Sequence, residues 1–147
     1  MRKFQVVCDA KRTSTGNIRL PERSSKFSAG YDFFSPVNVT INPGESKLIF
    51  TDVKSLFHND EVLMLYVRSS MGKYPVVLAN GTGIIDFDYA DGESDGNIGF
   101  RLMNLGDRPY VINKGDRIGQ GVLLKYLTFE NGNTNAKRID GFGSSGR

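Results

Sequence analysis

Val62-Leu63-Met64-Leu65-Tyr66-Val67 is apolar along its whole length and gives way at once to Arg68-Ser69-Ser70. A run this short and this uniform lacks the stripe of an amphipathic helix and reads as a strand buried on both faces. On either side of it the pattern is one of short alternations. Phe4, Val6 and Cys8 share one face of a strand, and so do Val37, Val39 and Ile41 before the turn Asn42-Pro43-Gly44. Leu48 and Phe50, Val76 to Leu78, Ile84-Ile85, Ile98-Phe100-Leu102, Tyr110-Ile112 and Val122 to Leu127 continue the series. Helical periodicity never persists for the roughly ten residues a helix needs. The best short helices fall near residues 52–58 and in one or two turns after Arg68. Many short strands separated by turn signals predict an all-β sandwich or barrel of jelly-roll type with a short helix.

Composition narrows the chemistry. The 147 residues suit one domain, with a β domain over 1–128 and a flexible C-terminal arm over 129–147. The arm is polar, aperiodic and too poor in apolar surface to order itself alone. The net charge is +3 and the basic residues are scattered, so no nucleic-acid partner is expected. No run approaches the ~20 apolar residues of a membrane span. The charged opening Met1-Arg2-Lys3 has no long apolar segment behind it, which predicts no signal peptide. The lone cysteine, Cys8, allows no internal disulfide, reads as a small core residue, and makes the cytoplasm the default location. The lone histidine, His58, sits in what reads as an exposed turn, so a histidine-based triad is not expected. One His and one Cys do not furnish the usual zinc ligands. Carboxylate and hydroxyl chemistry remains, for which an oxygen-held metal such as Mg²⁺ is the natural partner.

Several clusters carry that chemistry. In the arm, Gly141, Gly143 and Gly146 allow backbone amides to converge on an anion, Ser144 and Ser145 add hydroxyls, and Arg138 adds a planar guanidinium. Phe142 stands between two of these glycines as a ring that can close over a base. Asp86 and Asp88 lie two apart at the end of an apolar run. They are either a strand end entering the turn Ala90-Asp91-Gly92 or a pair containing a general base for water. Asn80-Gly81-Thr82-Gly83 offers free backbone groups to the edge of a base. Arg68-Ser69-Ser70 is an ordinary cap or an anion site. Gly115-Asp116-Arg117-Ile118-Gly119-Gln120 reads as a turn into a strand with a charge pair.

In order, these segments resemble the five motifs of the trimeric dUTP diphosphatases, the dUTPases. Ala29-Gly30-Tyr31-Asp32-Phe33 resembles the first, Ala-Gly-x-Asp-Leu. Arg68 to Gly72 resembles Arg-Ser-Gly-Leu-Ala, and Asn80 to Tyr89 resembles Gly-Val-Ile-Asp-x-Asp-Tyr with its preceding Asn. Gly115 to Gln120 is similar to Gly-Asp-Arg-Ile-Ala-Gln, and Gly141 to Gly146 to Gly-Phe-Gly-Ser-Thr-Gly. The match spans residues 29–146 and is closest in style to Bacillus and phage members. It implies a distorted jelly roll, a homotrimer with shared sites, and Mg²⁺-assisted cleavage of dUTP to dUMP and pyrophosphate. That reaction keeps uracil out of DNA and supplies dUMP for dTMP synthesis. Motifs one, two and four would come from one subunit, motif three from a second, and the arm from a third.

The resemblance also implies residue roles. Asp86 is the base that activates water for attack on the α-phosphorus. Asn80 and the backbone around Gly83 and Ile85 read uracil, and Tyr89 lies under the deoxyribose. Arg68, Ser69, Ser70 and Gln120 serve the phosphates, and Asp32 helps place Mg²⁺ through water. Phe142 stacks on uracil, followed by Gly143, while Ser144 and Ser145 reach the γ-phosphate with either Arg138 or Lys137. Two departures stand out. The usual Arg-Gly-Glu after the third motif is replaced by the longer, acidic Ala90-Asp91-Gly92-Glu93-Ser94-Asp95-Gly96, and the glycine before Gly-Phe-Gly is Asp140. Two rivals share the fold: a dCTP deaminase, whose expected Trp is missing here, and a regulatory protein with a protein partner, as among phage relatives.

Overall fold

The computed structural model describes residues 1–143 and contains eleven strands: β1 (Lys3–Val6), β2 (Tyr31–Phe34), β3 (Val39–Ile41), β4 (Ser46–Phe50), β5 (Val53–Leu56), β6 (Glu61–Tyr66), β7 (Val76–Leu78), β8 (Gly83–Ile85), β9 (Gly99–Asn104), β10 (Tyr110–Ile112) and β11 (Arg117–Lys125). All pairings are antiparallel. One sheet runs β2-β11-β6-β8, a second β4-β9-β7, and two-stranded ribbons pair β1 with β5 and β10 with β3. The architecture is all-β and jelly-roll-like.

The stretch at 62–67 forms β6, but its two faces are unequal. Leu63 and Leu65 are buried, while Val62, Met64 and Tyr66 are half-buried on the other side. Between the layers lie Phe33, Ile41, Ile98, Phe100 and Leu102, all fully buried. Two glycines in β11 make room for this core. A Cβ on Gly119 would sit 2.2 Å from the Phe100 ring, and one on Gly121 3.0 Å from Leu63. Where the fourth motif of the resembled family has alanine, this chain needs glycine because Phe100 occupies the space.

Two local expectations fail, and the short helix expected after Arg68 forms with 3₁₀ geometry. Residues 53–56 are a strand, since β5 is held in register against β1 with Phe4 opposite Ser55. After Arg68 the chain makes a 3₁₀ segment, Ser69–Lys73, and there is no α-helix among the described residues. Cys8 is exposed and Val6 is 40% exposed, because the chain leaves β1 after Val6. Val7 turns inward instead and donates its N–H to the Asp52 carbonyl at 3.0 Å. His58 is exposed, as expected.

Asp52 is the strangest core residue. It is fully buried with φ of 58°, and no cation among the described residues pairs with it. Its carboxylate accepts the N–H and hydroxyl of both Thr13 and Ser14 and the amide of Asn97. Burial alone would push the Asp52 carboxyl up, but the Ser14, Thr13 and Asn97 donors outweigh it and hold it below its ordinary value.

Candidate functional site

Sheet register builds one group of residues. Asp32 on β2 lies opposite Gln120 on β11, and Gln120 lies opposite Tyr66, two residues before Arg68. Asp32 is only 6% exposed, a burial its carboxylate tolerates because two guanidinium groups flank it. Arg68 Nε reaches Oδ1 at 3.0 Å and Arg117 Nε reaches Oδ2 at 3.2 Å. Arg68 also donates to Ser70 Oγ at 3.2 Å, with exposed Ser69 beside it. Gln120 donates to the Val67 carbonyl at 3.1 Å and packs on Gly30, where a Cβ would sit 2.1 Å from Oε1. Arg19 and Arg117 both lie over the Phe34 ring, 3.9 Å and 5.5 Å from its centre. This face offers guanidinium and hydroxyl donors to a polyanion. Arg117 was not among the expected site residues. Its place inside the fourth motif was the available signal, but the sequence reading paired it with Asp116, which instead accepts from the Asn113 N–H in the turn.

A second group surrounds a cavity lined in part by Asn80, Gly83, Ile85, Tyr89, Arg138 and Phe142. The turn before β8 is not a hairpin. It carries the chain from β7 in one sheet to β8 in the other, with Gly81 at φ of 75°. Among the described residues β8 is therefore an edge strand, paired with β6 on one side only. Its open side presents main-chain donors and acceptors to the cavity. Ile85 points into the core while Ile84 is exposed.

Asp86 follows β8 as the cap of a 3₁₀ segment, Phe87–Asp91, so the pair Asp86/Asp88 does not sit on a strand. The two carboxylates nonetheless converge. Arg138 bonds Asp86 through one nitrogen and Asp88 Oδ1 through Nε at 2.6 Å. Lys137 is exposed, so Arg138 is the basic residue that reaches these carboxylates. Tyr89 is buried, its hydroxyl donates to the Asn97 carbonyl, and burial pushes the phenol up to about 12. It therefore stays neutral and keeps its donor. Phe142 meets both Tyr89 and Phe50 edge-on, with ring centres 5.8 Å apart in each case. Gly141 lies flat on Tyr89, where a Cβ would come within 2.6 Å of the ring. Gly143 follows at φ of 96°, while Ser144 and Ser145 lie outside the described residues.

The cavity lining includes neither Asp32 nor Arg68, Ser69, Ser70 or Gln120. The arm rests on the third-motif segment of its own chain, whereas the resemblance assigned it to a third subunit. Asn97, which holds Tyr89, and Phe50, which flanks Phe142, escaped the sequence reading as site residues, since nothing in their neighbourhood marks them apart from core. No cluster of three or more His, Cys, Asp or Glu among the described residues is placed to hold a metal ion. Asp32 Oδ1 accepts from Arg68 Nε and Oδ2 is ion-paired with Arg117, and carboxylate oxygens so placed keep lone pairs for a water. That donor set fits Mg²⁺, which retains water and leans on substrate phosphates rather than a protein cage. No helix among the described residues is long and apolar enough to cross a membrane.

A family model described as dUTPase matches residues 16–146. A deoxyuridine 5'-triphosphate nucleotidohydrolase of Lactococcus lactis subsp. lactis is 39% identical over 150 aligned positions, covering 99% of this chain and 98% of that one. The crystal structure of dUTPase from Streptococcus mutans superposes with a TM-score of 0.78 at 32% identity, covering 87% of this chain and 98% of the other. A mutant dUTPase from phage phi11 of S. aureus, described with a structural Mg(II) ion, gives 0.73 at 26% identity over 92% and 97%.

Proposed function

The chain belongs to the dUTPase family and is a dUTP diphosphatase, and from that premise we propose how its residues divide the hydrolysis of dUTP to dUMP and pyrophosphate. The observation that carries the reading is the convergence of Asp86, Tyr89, Arg138 and Phe142 on a cavity edged by an open β-strand. Asn80 and the open side of β8 pair with the polar edge of uracil. A base with the wrong donors would leave buried groups unpaired there, which is the strongest kind of discrimination a pocket has. Tyr89 forms the floor under the deoxyribose, and a 2′-hydroxyl has no space against a ring already pinned by Asn97 and Gly141. Phe142 turns its ring onto the base, a contact worth roughly 1–3 kcal/mol.

Asp86 takes the proton of a water whose oxygen bonds to the α-phosphorus, while the bond from that phosphorus to the bridging oxygen breaks and pyrophosphate leaves. Arg138 moves from the two carboxylates to the phosphates, freeing Asp86 for this task. Arg68, Ser69, Ser70 and Gln120 hold the phosphate chain, with Arg117 as a further cation, and Ser144 and Ser145 extend the arm's grip. Bound Mg²⁺, approached by Asp32 through water, would neutralise phosphate oxygens.

The phosphate-gripping face and the base cavity are separate in one chain, so a complete site needs another copy. This supports a homotrimer in which neighbours supply the two halves. Pyrophosphate release from dUTP, set against dTTP, dCTP and UTP with and without Mg²⁺, tests the reading. Intact dUTP at high enzyme concentration would overturn it, and ammonia release from dCTP would point to the deaminase instead.

A further inference from the structure

The two places where the sequence departs from the dUTPase motifs meet in space. Ser94, in the acidic turn 90–96, donates its hydroxyl to Asp140 Oδ1 at 2.7 Å. One residue earlier in each segment, the Glu93 N–H donates to the Ile139 carbonyl at 3.1 Å. Arg138 completes the arm's own turn by donating to the Asp140 carbonyl at 3.2 Å. The fit is close: a Cβ on Gly92 would lie 2.8 Å from Asp140 Oδ1 and 3.3 Å from its Cα. The acidity of the turn is also partly neutralised, since Asp95 is taken up by Lys54 Nζ and the Cys8 N–H, both at 2.7 Å. An aspartate so near the phosphate-binding arm is awkward if it faces the substrate, but here it faces Ser94.

We propose that Ser94 and Asp140 form a latch that seats the arm on the 90–96 turn, making both of them positioning residues for Arg138 and Phe142. The proposal deepens the dUTP reading and rests on it. Glycine at 140 would remove the Ser94 bond and leave the arm to Arg138, Phe142 and the single main-chain bond from Glu93. The extra turn and the aspartate supply one charge-assisted hydrogen bond and one main-chain bond that hold it in register before nucleotide arrives.

The test uses the full chain with Ser94→Ala, Asp140→Ala, the double variant and Ser94→Thr. Trypsin cleavage after Lys137 and Arg138 in nucleotide-free protein reports how often the arm lifts. Each alanine variant is expected to raise the cleavage rate about tenfold, the population change that loss of a hydrogen bond to a charged group brings. The KM for dUTP should rise by more than kcat falls. The double variant should be no worse than either single one, and Ser94→Thr, which keeps the hydroxyl, should behave as the unaltered chain. Unchanged cleavage in both alanine variants, or effects that add in the double variant, would overturn the latch. If the unaltered chain itself left dUTP intact, the fault would lie with the functional reading, since trypsin still reports the latch.

Discussion

Asp86 and Gly119 are single positions at which chemistry and packing can be separated by one substitution each. Asp86→Asn keeps the shape and an acceptor for Arg138 but removes the base. Turnover of dUTP should fall about 10²–10⁴-fold, the usual worth of a positioned general base, with KM little changed. Single-turnover pyrophosphate release checks this, and near-normal turnover would remove Asp86 from the mechanism. Gly119 is buried and lines no part of the base cavity. Its absent side chain is the space in which the Phe100 ring rests, at a distance a Cβ would reduce to 2.2 Å. Gly119→Ala is therefore expected to cost about 1–3 kcal/mol by overpacking, read as a lower urea midpoint. A variant as stable as the original would show that Phe100 can step aside.

Among strands and turns, hydrophobic pattern was an uneven guide. Ile98-Phe100-Leu102 and Val37-Val39-Ile41 alternate as read, because each lies over one core and hydrophobic period reports that directly. Phe4-Val6-Cys8 did not, since the chain leaves its strand at Val6, a break decided by the long-range bond from Val7 to Asp52. The helix expected at 52–58 failed for the same kind of reason, as pairing with β1 overrides local preference. Asp86, Asp88, Tyr89, Arg138 and Phe142 were singled out from the sequence and converge, whereas the reach of Arg117 to Asp32 and the contacts of Asn97 and Ser94 depend on what folding brings next to them. For the arm as an element, deletion of residues 137–147 should lower turnover on the order of 10²-fold, the cost of losing positioned groups. The melting temperature should stay within about 2 °C, because no described arm residue belongs to the buried core. A truncated chain with full activity would exclude the arm from the reaction.

Across the whole molecule, acid should act through Glu61. Its side chain is bonded by Arg2 at 2.8 Å and 3.1 Å and by the His58 N–H at 2.9 Å, and these donors, Arg2 foremost, hold its carboxyl down at about 2. The unfolded carboxyl titrates near ~4.3. The stabilisation is thus fully present above that value and is lost as pH falls from there towards about 2. Arg2→Ala raises the folded value, so the variant should melt lower at pH 6 yet show a flatter loss of melting temperature across that acid window. Parallel profiles for the two proteins would place the acid sensitivity elsewhere.

Arg138 holds two carboxylates while no nucleotide is present, which has a consequence for how the reaction ends. Whatever displaces that guanidinium must outbid a pair of anions. A triphosphate carries charge enough, but the monophosphate left after cleavage does not. Arginine's return to Asp86 and Asp88 then competes with retention of dUMP, and turnover would be cleared by the enzyme's own acids. Weak inhibition by dUMP, strengthened when Asp88 is replaced by asparagine, is the expected signature in steady-state kinetics.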